Sequence, residues 1–191
     1  LEPAVEREVS AALAEDVGGG HVSAMLLPEG ASARAVVLCR QDAVICGPAW
    51  FEACFRRLDP NVAISWQATE GSRVAAGARI CEVRGKARAL LTAERTALNF
   101  LQTLSAAATI TRRFVDTVAG THAKILDTRK TLPGLRLALK YAVRTGGGAN
   151  HRMGLHDAML IKENHIAAAG GIAPVLAQAK KQARPGVWMQ I

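Results

Sequence analysis

The chain has 191 residues, half of them hydrophobic, and carries 24 Lys and Arg against 16 Asp and Glu, a net charge of +8. That is enough chain to bury one large or two small cores, and too apolar for a disordered segment. The basic balance could suit nucleic acid, but aromatic residues are only 4% of the chain, too few for base stacking, and no basic run exceeds Arg56-Arg57 or Lys180-Lys181.

In chain order, Pro3–Glu15 reads as a helix: Val5, Val9, Ala12 and Leu13 share a face, Pro3 suits the first turn and Gly18-Gly19-Gly20 ends it. Ala33–Cys39 reads as a strand. Helical spacing returns over Pro48–Leu58 through Trp50, Phe51, Cys54, Phe55 and Leu58. Val62–Ala68 alternates apolar and polar residues, the pattern of a half-buried strand, and Gly71 and Gly77 punctuate further short strands ending at Cys81–Val83. This first part reads as a small α+β domain.

A long helical tract follows from Lys86 to about Ala119, with an apolar stripe of Leu90, Leu91, Leu98, Leu101 and Leu104 and an expected break near Ser105. From Lys124 the pattern becomes strand, loop, helix: a strand at 124–127 with Pro133-Gly134 opening a helix to 145, then a strand at 158–161 with a helix at 171–182, then a strand at Val187–Ile191. Repeated βα units give this periodicity. A parallel barrel needs about eight such units, so the expectation is a barrel whose C-terminal part lies outside this sequence; a short open α/β sheet is the alternative.

The four cysteines (Cys39, Cys46, Cys54, Cys81) show no CxxC spacing and sit in apolar runs, which points to reduced, buried thiols and a cytoplasmic location. No apolar stretch is long enough to span a bilayer, and the first residues form an acidic amphipathic segment rather than a signal peptide.

The chemistry concentrates in Lys124–His165. Arg129 and Lys130 follow the first expected strand of this part; His151 and Arg152 precede the second, and Lys162 ends it. Loops at the carboxyl ends of strands form the ligand site in α/β folds. Two arginine forks on separate loops suit a dicarboxylate or a sugar phosphate, and Lys130 and Lys162 suit phosphate as point charges, with Thr128 and Thr131 adding hydroxyls. The competing interpretation pairs these bases with Asp127 and Asp157. His151, His156 and His165 lack the company of a zinc motif, and Gly146-Gly147-Gly148 reads as a helix stop rather than a phosphate loop. No activated nucleophile stands out. Arg95, beside Glu94, reads on pattern alone as a solvated helix position.

The stretches ARALLTAERTALNFLQTLSAAATITR (87–112), LDTRKTLPGLRLALKYAV (126–143) and GGGANHRMGLHDAMLIKENHI (146–166), with ALAEDVGGGHVS (12–23), resemble the decarboxylating quinolinate phosphoribosyltransferase family. The resemblance implies an N-terminal open-faced α/β sandwich over 1–98 and the first part of a TIM-like α/β barrel over 99–191. It implies transfer of phosphoribose from 5-phosphoribosyl 1-diphosphate to quinolinate with loss of CO2, giving nicotinate mononucleotide and diphosphate, with Mg2+ accompanying the diphosphate. By motif it places Thr128, Arg129, His151, Arg152 and Lys162 on quinolinate and Lys130 on phosphoribosyl diphosphate. Lys130 and Lys162 become the expected catalytic pair, and no residue of this stretch is expected to ligate a metal. Arg95 is expected to reach the neighbouring subunit's site in a homodimer, against the solvated-face reading, with neither nucleic acid nor membrane as partner. The acidic and phosphate-loop residues of the family's later part are absent from this sequence, so the 191-residue chain is expected to be inactive alone. The other readings are a non-catalytic basic binding fragment, or a related phosphoribosyltransferase acting on another ring carboxylate.

Overall fold

The computed structural model describes residues 1–191. They form two compact units, Leu1–Asp127 with Thr131–Ala149, and Thr128–Lys130 with Asn150–Ile191.

The first unit contains helix α1 (Glu2–Val17), a single 3-10 turn at Val22–Leu26, strands β1 (Ser32–Leu38) and β2 (Ala43–Val44), helix α2 (Pro48–Leu58), strands β3 (Ala63–Trp66), β4 (Arg73–Val74) and β5 (Arg79–Lys86), and helices α3 (Ala87–Thr117) and α4 (Arg136–Thr145). Strands β1, β5 and β3 form an antiparallel sheet with β5 at its centre, and β2 pairs with β4 in a separate ribbon. The middle strand is the buried one: Ile80, Cys81 and Val83 lie in the core, whereas β1 is mostly exposed. On α3, Leu90, Ala93, Ala97, Leu101, Leu104 and Ala108 recur at intervals of three and four, so one stripe of the helix is buried along its length. Trp50 and Phe51 of α2 are fully buried against it, and the indole N–H of Trp50 donates to Glu8 Oε2 of α1 at 2.7 Å, so the ring's polar atom is satisfied inside the core.

The expected break near Ser105 does not occur, and α3 runs unbroken from Ala87 to Thr117. Serine mid-helix usually signals competition with the backbone. Here its hydroxyl is used between elements: Ser105 Oγ accepts the Cys46 N–H at 2.9 Å and donates to the Cys46 carbonyl at 3.1 Å. One turn on, Thr109 Oγ1 accepts the Val44 N–H at 2.8 Å. Two helix hydroxyls thus satisfy the backbone of β2 at Val44 and of the segment just after it at Cys46.

Helix α4 begins at Arg136, not at Pro133-Gly134, which form a turn before it. It ends at Gly146-Gly147-Gly148, as the glycine run suggested. Gly147 has φ +91°, and the Gly148 N–H reaches back to the Val143 carbonyl at 2.9 Å, closing the last turn. A Cβ on Gly146 would stand 2.5 Å from the Ala108 carbonyl oxygen, so glycine lets α4 meet α3 there. The strand expected at 124–127 is reduced to one parallel bridge between Leu126 and Ala149, with the Asp127 N–H donating to the Ala149 carbonyl at 3.1 Å and the Ala149 N–H to the Ile125 carbonyl at 2.8 Å.

In the second unit, strand β6 (Ala158–Leu160) pairs in parallel with β7 (Trp188–Gln190), and helices α5 (Glu163–Ala168) and α6 (Ile172–Gln182) form the connection between them. Parallel neighbours joined through helices are what the βα spacing implied. Helix α5 was not anticipated, because its six residues are too few to show a period.

Replacing Ser105 with alanine leaves the buried Cys46 N–H without its acceptor and should cost about 1–3 kcal/mol. Urea unfolding of S105A should show a lower midpoint with an unchanged slope; an unchanged midpoint would mean that the pair contributes nothing.

Candidate anion-binding site

The second unit brings together three residues from one part of the chain and a segment that resumes twenty positions later. Thr128–Lys130 belong with Asn150–Ile191, while the residues between them belong to the first unit. Thr128, Arg129, Lys130, His151, Arg152 and Lys162 therefore share one compact unit. Arg95 does not: it lies on an exposed face of α3.

Each side chain is held by its local structure. Thr128 Oγ1 accepts the Lys130 N–H at 3.0 Å, a hydroxyl turn that sets Arg129 at its bend. Arg129 is half-buried, and its Nε is buried with no hydrogen-bond partner. A buried N–H donor left without an acceptor costs about 1–3 kcal/mol, which an incoming carboxylate or phosphate oxygen would remove. Arg152 spends one N–H on the Ala158 carbonyl at 3.2 Å, which ties its guanidinium to the start of β6. His151 donates from Nε2 to Gln190 Oε1 at 2.8 Å and meets Trp188 edge-on, with ring centroids 4.7 Å apart. Both partners lie on β7, so that strand fixes the imidazole. Lys162 stands immediately before α5, and its N–H donates to His165 Nδ1 at 3.0 Å.

The nearby acids are engaged elsewhere. Asp127 pairs with Lys140 inside the first unit, where the two side chains are 6% and 1% exposed. Asp157 accepts the Met153 N–H at 2.7 Å and the Gly154 N–H at 2.8 Å, and these backbone donors hold its carboxyl below the usual aspartate range. Neither neutralises the arginines, and no ion pair involves Arg129, Lys130, Arg152, Lys162 or Arg95. No ion pair joins Arg129 or Arg152 to Asp127 or Asp157, against the alternative that these acids neutralise them. The sequence did not single out Gln190, Trp188 or the stapling role of Asp157. Only Asp157 carried a signal, as an acid three and four residues after two loop N–H groups. No group of three His, Cys, Asp or Glu side chains is placed to hold a metal ion.

Guanidinium and ammonium groups on the loops around the strands of an α/β chain are the donors that a compact polyanion would require. Comparison with known proteins narrows this. Residues 21–105 match the family model of the N-terminal domain of quinolinate phosphoribosyl transferase, and residues 107–191 that of its C-terminal domain. Quinolinate phosphoribosyltransferase (decarboxylating) 1b of Nicotiana tabacum is 42% identical over 170 residues, 88% of this chain and 48% of the tobacco protein. The probable nicotinate-nucleotide pyrophosphorylase (carboxylating) of Bacillus subtilis is 41% identical over 169 residues, 88% of this chain and 58% of that protein. Among solved structures, the nicotinate-nucleotide pyrophosphorylase of Francisella tularensis superposes with a TM-score of 0.94 at 45% identity, covering all of this chain and 68% of its own. NadC of Streptococcus pyogenes gives a TM-score of 0.94 at 38% identity, covering 99% of this chain and 67% of its own. The chain belongs to the quinolinate phosphoribosyltransferase family and has its mixed α/β fold. It spans about half the length of the plant relatives it matches.

The Asp157 staple has a pH signature. Its carboxyl is held low in the folded state, so the order it confers is complete above the ordinary aspartate pKa of about 3.9 and is lost as pH falls below that range. Hydrogen-exchange protection at the Met153 and Gly154 amides should persist at neutral pH in the wild type and vanish there in Asp157→Ala. Equal protection in the variant would contradict the assignment.

Proposed function

We propose that the protein containing this chain transfers phosphoribose from 5-phosphoribosyl 1-diphosphate to quinolinate, with decarboxylation, in NAD biosynthesis. The observation that carries this reading is the joining of Thr128–Lys130 with His151, Arg152 and Lys162 in one unit, in which Arg129, Lys130, Arg152 and Lys162 form no ion pair with a carboxylate. Quinolinate presents two adjacent carboxylates. Arg129 and Arg152, on separate segments, can each take one as a planar fork, with His151, Thr128 and Lys162 completing the cradle. Held in this way, the ring nitrogen can face the anomeric carbon of the sugar.

The nitrogen lone pair forms the new bond to that carbon while the bond to diphosphate breaks and its electron pair leaves with the diphosphate. Lys130 stabilises the departing charge, and Lys162 holds the carboxylates in register. The ring nitrogen is then cationic. It accepts the electrons of the adjacent ring-to-carboxylate bond as CO2 departs, and a proton from solvent completes nicotinate mononucleotide. This sequence needs no side-chain nucleophile, in keeping with the lack of one among the site residues. Magnesium enters this proposal as a companion of the diphosphate; the residues present offer no cluster of acids to hold it.

Further parts of the reading follow the family resemblance. Arg95, exposed and without an ion-pair partner on α3, is proposed to serve the site of a second subunit in a homodimer. Residues 1–98 are proposed as an open-faced sandwich domain and 99–191 as the first part of a TIM-like barrel. The parallel β6–β7 pair and the parallel Leu126–Ala149 bridge support the barrel reading. A cytoplasmic location is proposed from the four free cysteines, and the low aromatic content supports a partner other than nucleic acid; no membrane partner is proposed, and no helix is long and apolar enough to cross a membrane.

Arg129→Ala and Arg152→Ala in the full-length protein should each weaken quinolinate binding about 100-fold, the size of one charged bidentate contact, with thermal unfolding nearly unchanged. Arg129→Lys should also fail, because an ammonium cannot reproduce the fork. Calorimetric titration measures both. Wild-type affinity in either alanine variant would overturn the assignment.

A further inference from the structure

The most deeply buried charge in the chain has no part in the site described above. Lys140 is 1% exposed on the inner face of α4, flanked by the fully buried Ala138 and Ala142, and its ammonium pairs with the carboxylate of Asp127. Taking both ions out of water costs several kcal/mol each, and an apolar pair of similar volume is often as stable or more so. An ion pair buried to this depth is a poor device for stability. It is a good device for fixing direction, because an ammonium and a carboxylate without water have few alternative partners.

A second observation says what is fixed. The Asp127 N–H also donates one of the two hydrogen bonds that make the parallel Leu126–Ala149 bridge, and just beyond each side of that bridge the chain leaves the first unit. After Asp127 come Thr128, Arg129 and Lys130. After Ala149 come Asn150, His151 and Arg152. One bridge therefore ties together the two departure points of the segments that carry the arginines. Helix α4 is itself a firm anchor, held against α3 at Gly146 and closed by the Gly147-Gly148 turn.

We propose that Asp127 and Lys140 are specificity-determining positioning residues: their ion pair and the Leu126–Ala149 bridge set the spacing at which Arg129 and Arg152 receive the two carboxylates of a dicarboxylate ligand. The inference rests on the quinolinate reading. Neither residue touches the ligand. Their effect falls on a ligand that must engage both arginines and spares one that needs a single fork.

The test uses the full-length protein with two ligands, quinolinate and nicotinate, which share the pyridine ring but carry two carboxylates and one. Dissociation constants are measured for the wild type, for the nearly isosteric Asp127→Asn, and for the charge-free Asp127→Asn/Lys140→Met pair. The preference for quinolinate over nicotinate should fall about tenfold or more in both variants. A merely structural role lowers the folded fraction and weakens both ligands alike, so a preference within about twofold of the wild type in a folded variant overturns the inference. Failure of both variants to fold also overturns it, since the pair would then be a folding determinant. A wild type with no preference for quinolinate would bring down the functional reading itself, a result distinct from either variant outcome.

Discussion

The site depends on where the acids are. A compact unit with four bases on its loops would ordinarily neutralise them with neighbouring carboxylates. Asp127, two residues from Arg129, is the obvious partner, yet it points into the first unit and pairs with Lys140 at almost no exposure. Asp157, five residues from Arg152, accepts two backbone N–H groups of its own loop. With both acids engaged, the guanidinium groups of Arg129 and Arg152 keep their charge for a ligand, and the Nε of Arg129 stays buried without an acceptor. The same two acids do a second task, since each stiffens a segment that carries one of the arginines.

The remainder of the fold can be read as support for this arrangement. The buried stripe of α3 supplies the surface on which α2, the small sheet and α4 pack, and hydroxyls from Ser105 and Thr109 bond the backbone of Cys46 and Val44. Helix α4 meets α3 closely because Gly146 has no side chain to hold them apart. Strand β7, through Gln190 and Trp188, sets the His151 ring. Binding residues on short loops, positioned by packed elements, are the usual division of labour in α/β proteins.

Much of the fold was legible in the residue pattern, because long amphipathic periods survive tertiary packing. Helix α2 was read at Pro48–Leu58, the bounds it has, and β3 lies within the alternating stretch at 62–68. What the pattern missed depended on partners far along the chain. Ser105 looks like a break until Cys46, 59 residues away, is known to use its hydroxyl. Residues 124–127 look like a strand, but only Leu126 finds a neighbour, at Ala149. At the site, the residue types announced an anion, while the engagement of Asp127 and the orphaned Arg129 Nε are facts of three-dimensional placement that no spacing rule encodes. The family likeness was carried by contiguous motifs such as TRKT and IKENH, which explains why the sequence alone reached it.

A crystal structure of the full-length protein grown with quinolinate tests the central claim most directly. The account predicts one carboxylate oxygen within hydrogen-bonding distance of Arg129 Nε and the other carboxylate on Arg152, with Asp127 still paired to Lys140. Quinolinate bound elsewhere, with Arg129 Nε still lacking an acceptor, would contradict it.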